Sequence, residues 1–306
     1  MRLFETANYS IIDKRKIGYI ISGTLVLLSL IAIFSRGLQL GIDFRGGQEI
    51  VVQFENPVSV SETRSALTPA LGTEPQTRHY GSQSEVLLRV DTELETSVLQ
   101  RTVLTTLAER YPDNPSIIIK TDIVGPSFAD DLRNAAFMAI LFALIVIFIY
   151  ILVRFKKWSY SAGAVAALSH DVIITLGIFT IFNGILPFNL DIDQALIAAF
   201  LTIVGYSLND TVVVFDRIRE NSLIFKTEAT DKMVNRSINN TLSRTVVTSL
   251  TTLFVVSILF IFGGEVLKGL SFALILGVVL GTYSSIFVAS ALLVDLEQKK
   301  QAAVAR

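Results

Sequence analysis

Apolar residues fall in six long runs, at 17–34, 135–153, 158–182, 192–215, 245–262 and 269–294. A bilayer core takes about 20 mostly apolar residues per helix, so each run predicts a membrane-spanning helix. The first is too long for a signal-peptide core and no small-residue cleavage site follows it, which predicts a retained anchor. Between the first two runs the pattern changes. Residues 37–133 are polar and carry short alternating stretches: Ile50, Val52 and Phe54; Val86, Leu88 and Val90; Ile117, Ile119 and Ile123. A period of two predicts strands with one buried face, and a further short strand is expected at 76–80. Ser59-Val60-Ser61-Glu62 and Thr92-Glu93-Leu94-Glu95 have the form of capping boxes. Leu99, Val103 and Leu107 share one face of the second helix, which Pro112 ends. The expected order is βαββαβ, an inserted α+β domain of ferredoxin-like type, large enough to bury its own core.

The predicted organisation is a cytoplasmic N-terminus and first helix (1–36), an extracytoplasmic domain (37–133), helices two to six (134–296) and a cytoplasmic tail (297–306). In the connection near 216–243, Val234, Ile238 and Leu242 share a face, which predicts an amphipathic helix along the inner interface. In the sixth helix Gly269, Ala273, Gly277, Gly281, Ser285 and Ala289 recur every four positions, a stripe that allows close helix packing.

Composition agrees with a membrane protein: 51% of residues are hydrophobic and the mean hydropathy is +0.57. The net charge of -1 gives no nucleic-acid footprint. The absence of cysteine excludes disulfides and thiolate metal sites. Basic residues cluster on alternate short connections: Lys14 to Lys16, Arg154 to Lys157, Arg217 to Arg236, and the C-terminal end. This bias places both termini in the cytoplasm. Enzyme chemistry is not expected, since there is no phosphate loop, no Ser–His–Asp arrangement and only two histidines. Nor does a third ligand with metal-site spacing accompany His170 and Asp171.

Charge inside the bundle is the informative feature. Asp210, beside Asn209, lies toward the inner end of the fourth helix, and Arg244 at the inner start of the fifth. A carboxylate in a membrane helix costs about 2.5–3.5 kcal/mol on insertion scales, and an arginine at the same depth offsets much of that. Desolvation favours a neutral carboxyl group and a guanidinium favours its charged form, so such a pair can change protonation with conformation. A permanent pair that only locks packing is the alternative. His170 and Asp171, near the middle of the third helix, either extend a proton path or are satisfied by neighbouring helices.

The stretches "LGIDFRGG" (40–47), "VGPS" (124–127), "HDVIITLGIF" (170–179), "GYSLNDTVVVFDRIREN" (205–221), "LSRTVVTSLTT" (242–252) and "FGGEVLKGLSFALILGVVLGTYSSIFVAS" (262–290) together resemble the SecD/SecF family of bacterial protein-export membrane subunits, on its SecF side. The match runs in order over nearly the whole chain. The resemblance implies a six-helix bundle of resistance–nodulation–division type, paired with SecD. It implies work beside the SecYEG channel and SecA, often with YajC, on an unfolded translocating polypeptide at the outer face of the inner membrane. No bound cofactor is implied; the proton or sodium gradient drives the work. The family's functional aspartate falls on Asp210 and its arginine on Arg244. Gly41, Asp43, Phe44, Gly46 and Gly47 match its glycine motif, where movement of the bundle would pass into the external domain. Rival expectations are a half-transporter for a small or lipidic substrate and a non-transporting scaffold.

Overall fold

The computed structural model describes residues 7–92 and 94–304. Helix α1 (Arg15–Arg36) leads through Gly37, in a left-handed conformation, into a single helical turn α2 (Ile42–Arg45) and strand β1 (Gly47–Phe54). There follow α3 (Val60–Leu71), β2 (Gln76–Tyr80), β3 (Ser82–Val90), α4 (Thr96–Arg110) and β4 (Ser116–Val124). The βαββαβ order is the expected one. The four strands are antiparallel in the order β2-β3-β1-β4. Helices α3 and α4 cover one face, where Ile50, Val52, Val86 and Leu88 meet Leu67, Leu99, Val103 and Leu107.

Two local expectations are corrected. Ser59 does cap α3, its Oγ accepting from the Glu62 amide at 3.4 Å. The second box does not form. Thr92 Oγ1 accepts from the Leu94 amide instead, and α4 starts only after Glu95; Glu93 lies outside the described residues. In β4 the three isoleucines do not share a buried face. A bulge opposite Val51 and Val52 leaves Ile119 without a partner, so the phase changes within the strand. Ile118 then packs on the core, while Ile117, Ile119 and Ile123 are exposed.

The chain then crosses in α5 (Pro126–Phe155), α6 (Trp158–Phe182), α7 (Gln194–Ile224) and α8 (Thr230–Phe262). The last span comprises α9 (Glu265–Ser284), a π-helical turn (Ser285–Ala289) and α10 (Ser290–Val304). With α1, these make six helices long and apolar enough to cross a membrane. Pro126 opens α5 where its missing amide is tolerated. In the π turn the Ser290 hydroxyl donates to the Ser285 carbonyl at 2.8 Å. Helices α6, α7 and α9 form the centre, and α1, α5 and α8 present apolar residues outward.

The small-residue stripe of α9 lies on this central packing: Gly277 presses on Ile203 and Gly281 on Ser207, both of α7. Residues 216–243 do not form a separate interfacial helix. They continue α7 and begin α8, joined by a turn at 225–229. The apolar face carrying Val234 and Ile238 turns toward Ile218 and the bundle rather than toward lipid. Asn221 Nδ2 donates to Ser237 Oγ across this pair at 2.8 Å. At the same side Arg15 bridges Asp231 and Asp295, tying α1, α8 and α10 together.

Candidate functional site

Helix α7 carries polar groups at its middle and at its start. At its middle is Asp210, only 3% exposed, with Oδ2 free of hydrogen-bond partners among the described residues. Arg244 on α8 makes no ion pair with it; the guanidinium lies on an exposed face. Beside them Asn209, Gly205, Thr202 and Ala198 form an exposed stripe of small and polar residues on α7. A Cβ added to Gly205 would meet nothing within 4 Å. A face made for lipid carries bulky apolar groups, whereas small and polar residues suit close approach of another helix.

One α7 turn from Asp210, Ser207 opens a second polar group. Its hydroxyl donates to Asp171 Oδ2 at 2.7 Å, and Ser284 of α9 donates to the same oxygen at 2.8 Å. Asp171 Oδ1 lies 2.9 Å from His170 Nδ1. The His170 ring stacks on Tyr283 at 6.0 Å, and the Tyr283 hydroxyl donates to the Gly18 carbonyl of α1 at 3.1 Å. Nε2 of His170 is buried without a partner among the described residues. Asp171 therefore joins α6, α7 and α9. Close to Asp210, Ser249 of α8 bonds Thr282 of α9 at 2.6 Å and accepts from Tyr206 of α7 at 3.3 Å.

The start of α7 is gripped by the glycine motif. Gly41 N donates to the Ile192 carbonyl at 2.8 Å and Ile192 N to the Gln39 carbonyl at 2.7 Å, a short parallel bridge. Asp43 Oδ2 accepts from the Gln194 amide at 2.9 Å while Asp193 Oδ1 accepts from Leu196 at 2.7 Å. Two carboxylates thus serve the first turn of α7, where the helix dipole favours negative charge. Phe44 is buried against Phe179, Ile192 and Leu196. Gly46 has φ +80, and a Cβ there would stand 3.0 Å from Pro126 Cα; Gly47 has φ +109. Both positions need glycine.

Next to this grip, Asp191 meets the sheet. Arg89 of β3 lies 2.7 Å from its Oδ2 and 3.0 Å from Glu49 of β1, and Arg78 of β2 lies 2.9 Å from the same Oδ2. A cavity of about 190 Å³ opens here, lined by Asp43, Glu49, Arg89, Lys120, Asp193 and Glu265 among others. Burial would raise the Asp191 pKa, but Arg78 and Arg89, with a hydrogen bond from Asn183, hold it below the usual carboxylate range. Burial, reinforced by Asp43 and Asp191, pushes the Asp193 carboxyl up.

The lowered Asp191 value fixes a pH dependence. Its stabilisation is complete above the ordinary carboxylate pKa of 3.8 and disappears as pH falls through the depressed folded value. At neutral pH, Asp191→Asn loses about 3 kcal/mol, because the buried Arg89 is left with Glu49 as its one carboxylate and Arg78 loses its partner. Thermal unfolding in detergent is expected to show a constant wild-type advantage down to about pH 4 and a shrinking one below. An advantage that grew on acidification would contradict this electrostatics.

Comparison with known proteins bears on the whole chain. A family profile described as protein export membrane protein SecD/SecF, C-terminal, matches residues 103–299, and the SecD/SecF GG motif matches 31–58. Protein translocase subunit SecF of Rhodothermus marinus is 56% identical over 302 residues, covering 99% of this chain and 97% of the relative. The chain belongs to the SecD/SecF family. Protein translocase subunit SecF of Escherichia coli O157:H7 is 39% identical, covering 92% of this chain and 85% of its own. The crystal structure of SecDF, a translocon-associated membrane protein from Thermus thermophilus, superposes with a TM-score of 0.85 at 34% identity over 97% of this chain. A SecDF crystal structure in a super-membrane-facing form gives 0.72 at 33% identity over 98%. The chain spans only 40% of each of those solved SecDF chains.

Within this SecD/SecF fold, the residues singled out from sequence occupy two places. Asn209, Asp210 and Arg244 lie near the middle of α7 and α8, not toward their inner ends, because both helices continue past the apolar runs; His170 and Asp171, near the middle of α6, adjoin them through Ser207. Gly41, Asp43, Phe44, Gly46 and Gly47 lie at the domain-side end. Sequence reasoning missed Arg89, Arg78, Glu49 and Asp191, and the hydroxyls Ser207, Ser249 and Ser284. The paired aspartates of "NLDIDQ" ahead of an apolar run were a signal that could have pointed to a capped and anchored helix start.

Proposed function

We propose that this chain is an ion-coupled SecF subunit of the bacterial Sec export machinery. Paired with SecD, it uses the proton or sodium gradient to promote late translocation and release of polypeptides at the outer side of the inner membrane. The observation that carries this reading is Asp210. It is buried, has an oxygen without a partner, and sits beside an exposed face that includes Asn209 and, on α8, Arg244. A carboxylate so placed is costly unless another element completes its surroundings. A second helical bundle, that of SecD, supplies that cover, and Arg244 then lies between the two halves.

Moving one charge through 100 mV is worth about 2.3 kcal/mol, enough to bias two conformations a few kcal/mol apart. His170 and Asp171 extend the proton route from Asp210 toward α1. Basic residues gather at the tail-side ends of the helices, as at Arg15, Arg154 and Lys157, which supports cytoplasmic termini and an external domain outside. SecYEG with SecA delivers the chain, and YajC is a further partner.

The test is export in cells depleted of their own copy, complemented with this chain or Asp210→Asn at equal membrane abundance. Wild type is expected to clear unprocessed secretory precursors and Asp210→Asn to leave them. Equal clearance by both would make Asp210 structural and the chain a scaffold.

A further inference from the structure

Helices α1 and α5 are the covalent neighbours of the external domain, α1 through Gly37 and α5 through Gly125, and Gly46 packs on Pro126 at the start of α5. A third attachment, made without a covalent link, is to α7. Residues 39–41 run beside Ile192 as a second backbone strand. Asp43 accepts an amide of the first turn of α7. Arg89 touches both sides of the attachment: it pairs with Asp191 ahead of α7 and donates to the Leu40 carbonyl at 3.3 Å. Through Glu49 the same guanidinium reaches β1, and Arg78 brings in β2. Three strands of the sheet are thus connected to the start of the helix that carries Asp210.

We propose that residues 39–47 and 189–194 form a closed joint that carries displacement of α7 into the external sheet, with Asp191 and Arg89 as its positioning residues. The joint stays shut through the working cycle, so the sheet and the domain-side end of α7 move as one body. This rests on the ion-coupled reading of Asp210, but the two fail in different ways.

The chain has no cysteine, so an engineered pair cross-links without competition. An ideal Cβ at Gly41 lies 3.3 Å from Asp193 Cβ, just below the disulfide range of about 3.5–4.5 Å, so a small outward shift admits the bond. Gly41→Cys with Asp193→Cys is assayed for export before and after reduction, and Leu40→Cys with Ile192→Cys serves where loss of the Asp193 cap harms the reduced form. Oxidised and reduced protein are expected to export within twofold of one another. A tenfold loss on oxidation, restored by reductant, would show a joint that must open and overturn the proposal.

Breaking the joint gives the second arm. Asp191→Asn is expected to lower export about tenfold at unchanged abundance, and Asp191→Glu to restore part of it. Full export by Asp191→Asn would also overturn the proposal. Should Asp210→Asn export normally in the same assay, the ion-coupled reading fails, while the cross-link still reports whether the joint opens.

Discussion

Asp171→Ala is expected to lower the unfolding free energy of the solubilised chain by about 3 kcal/mol. Interhelical hydrogen bonds in membrane proteins average about 0.6 kcal/mol and reach about 1.7. A buried donor stripped of its acceptor costs about 1–3 kcal/mol. Asp171 belongs at the upper end, because it is wholly buried and accepts from α7 and α9 at one oxygen. Removing it strands Ser207, Ser284 and His170 together. Asp171→Asn keeps one carbonyl acceptor and should cost about half as much. Adding Ser207→Ala and Ser284→Ala to Asp171→Ala should recover part of the loss, because the stranded donors go with their acceptor. A loss below 1 kcal/mol for Asp171→Ala, measured by reversible unfolding in mixed micelles, would mean that water or relaxation satisfies these groups.

Gly277→Leu is expected to be at least as damaging, at about 3–4 kcal/mol. Overpacking a core commonly costs about 1–3 kcal/mol. The excess arises because a Cβ at Gly277 already collides with Ile203, in the most closely packed pair of central helices. Gly205→Leu, a change of the same size on α7, meets open space. It should leave the isolated chain within about 0.5 kcal/mol of wild type and instead abolish co-purification of SecD. Thermal stability and partner recovery measured side by side separate the two. A damaging Gly205→Leu in the isolated chain would remove the basis for placing a partner on that face.

The six spans were legible because bilayer thickness imposes run length. Their ends were not, because helices continue through polar residues once outside the apolar layer. Helix α8 starts at Thr230, well before the apolar run that announces it. The phase of β4 was hidden because a bulge inserts one residue without altering composition. Asp210 and the glycine motif stood out as residues of the wrong chemistry or the wrong spacing for their surroundings. Arg89 and Asp191 did not, since a pair 102 positions apart leaves no periodic mark. Nothing in the spacing of Ser207 and Ser284 marks them, and only the fold turns them toward Asp171.

The π turn in the last span has a geometric consequence. Residues four apart advance about 400° on an α-helix, so a four-residue stripe drifts about 40° per step. Over the length of this span the drift would carry the stripe out of register with any single neighbour, and a wider turn slows it. The seam therefore spirals: it lies on α7 at Gly277 and Gly281, and reaches α6 where Gly163 meets the Ala289 carbonyl. Like a screw thread engaged with two nuts, this helix cannot rotate to suit one neighbour without disengaging from the other.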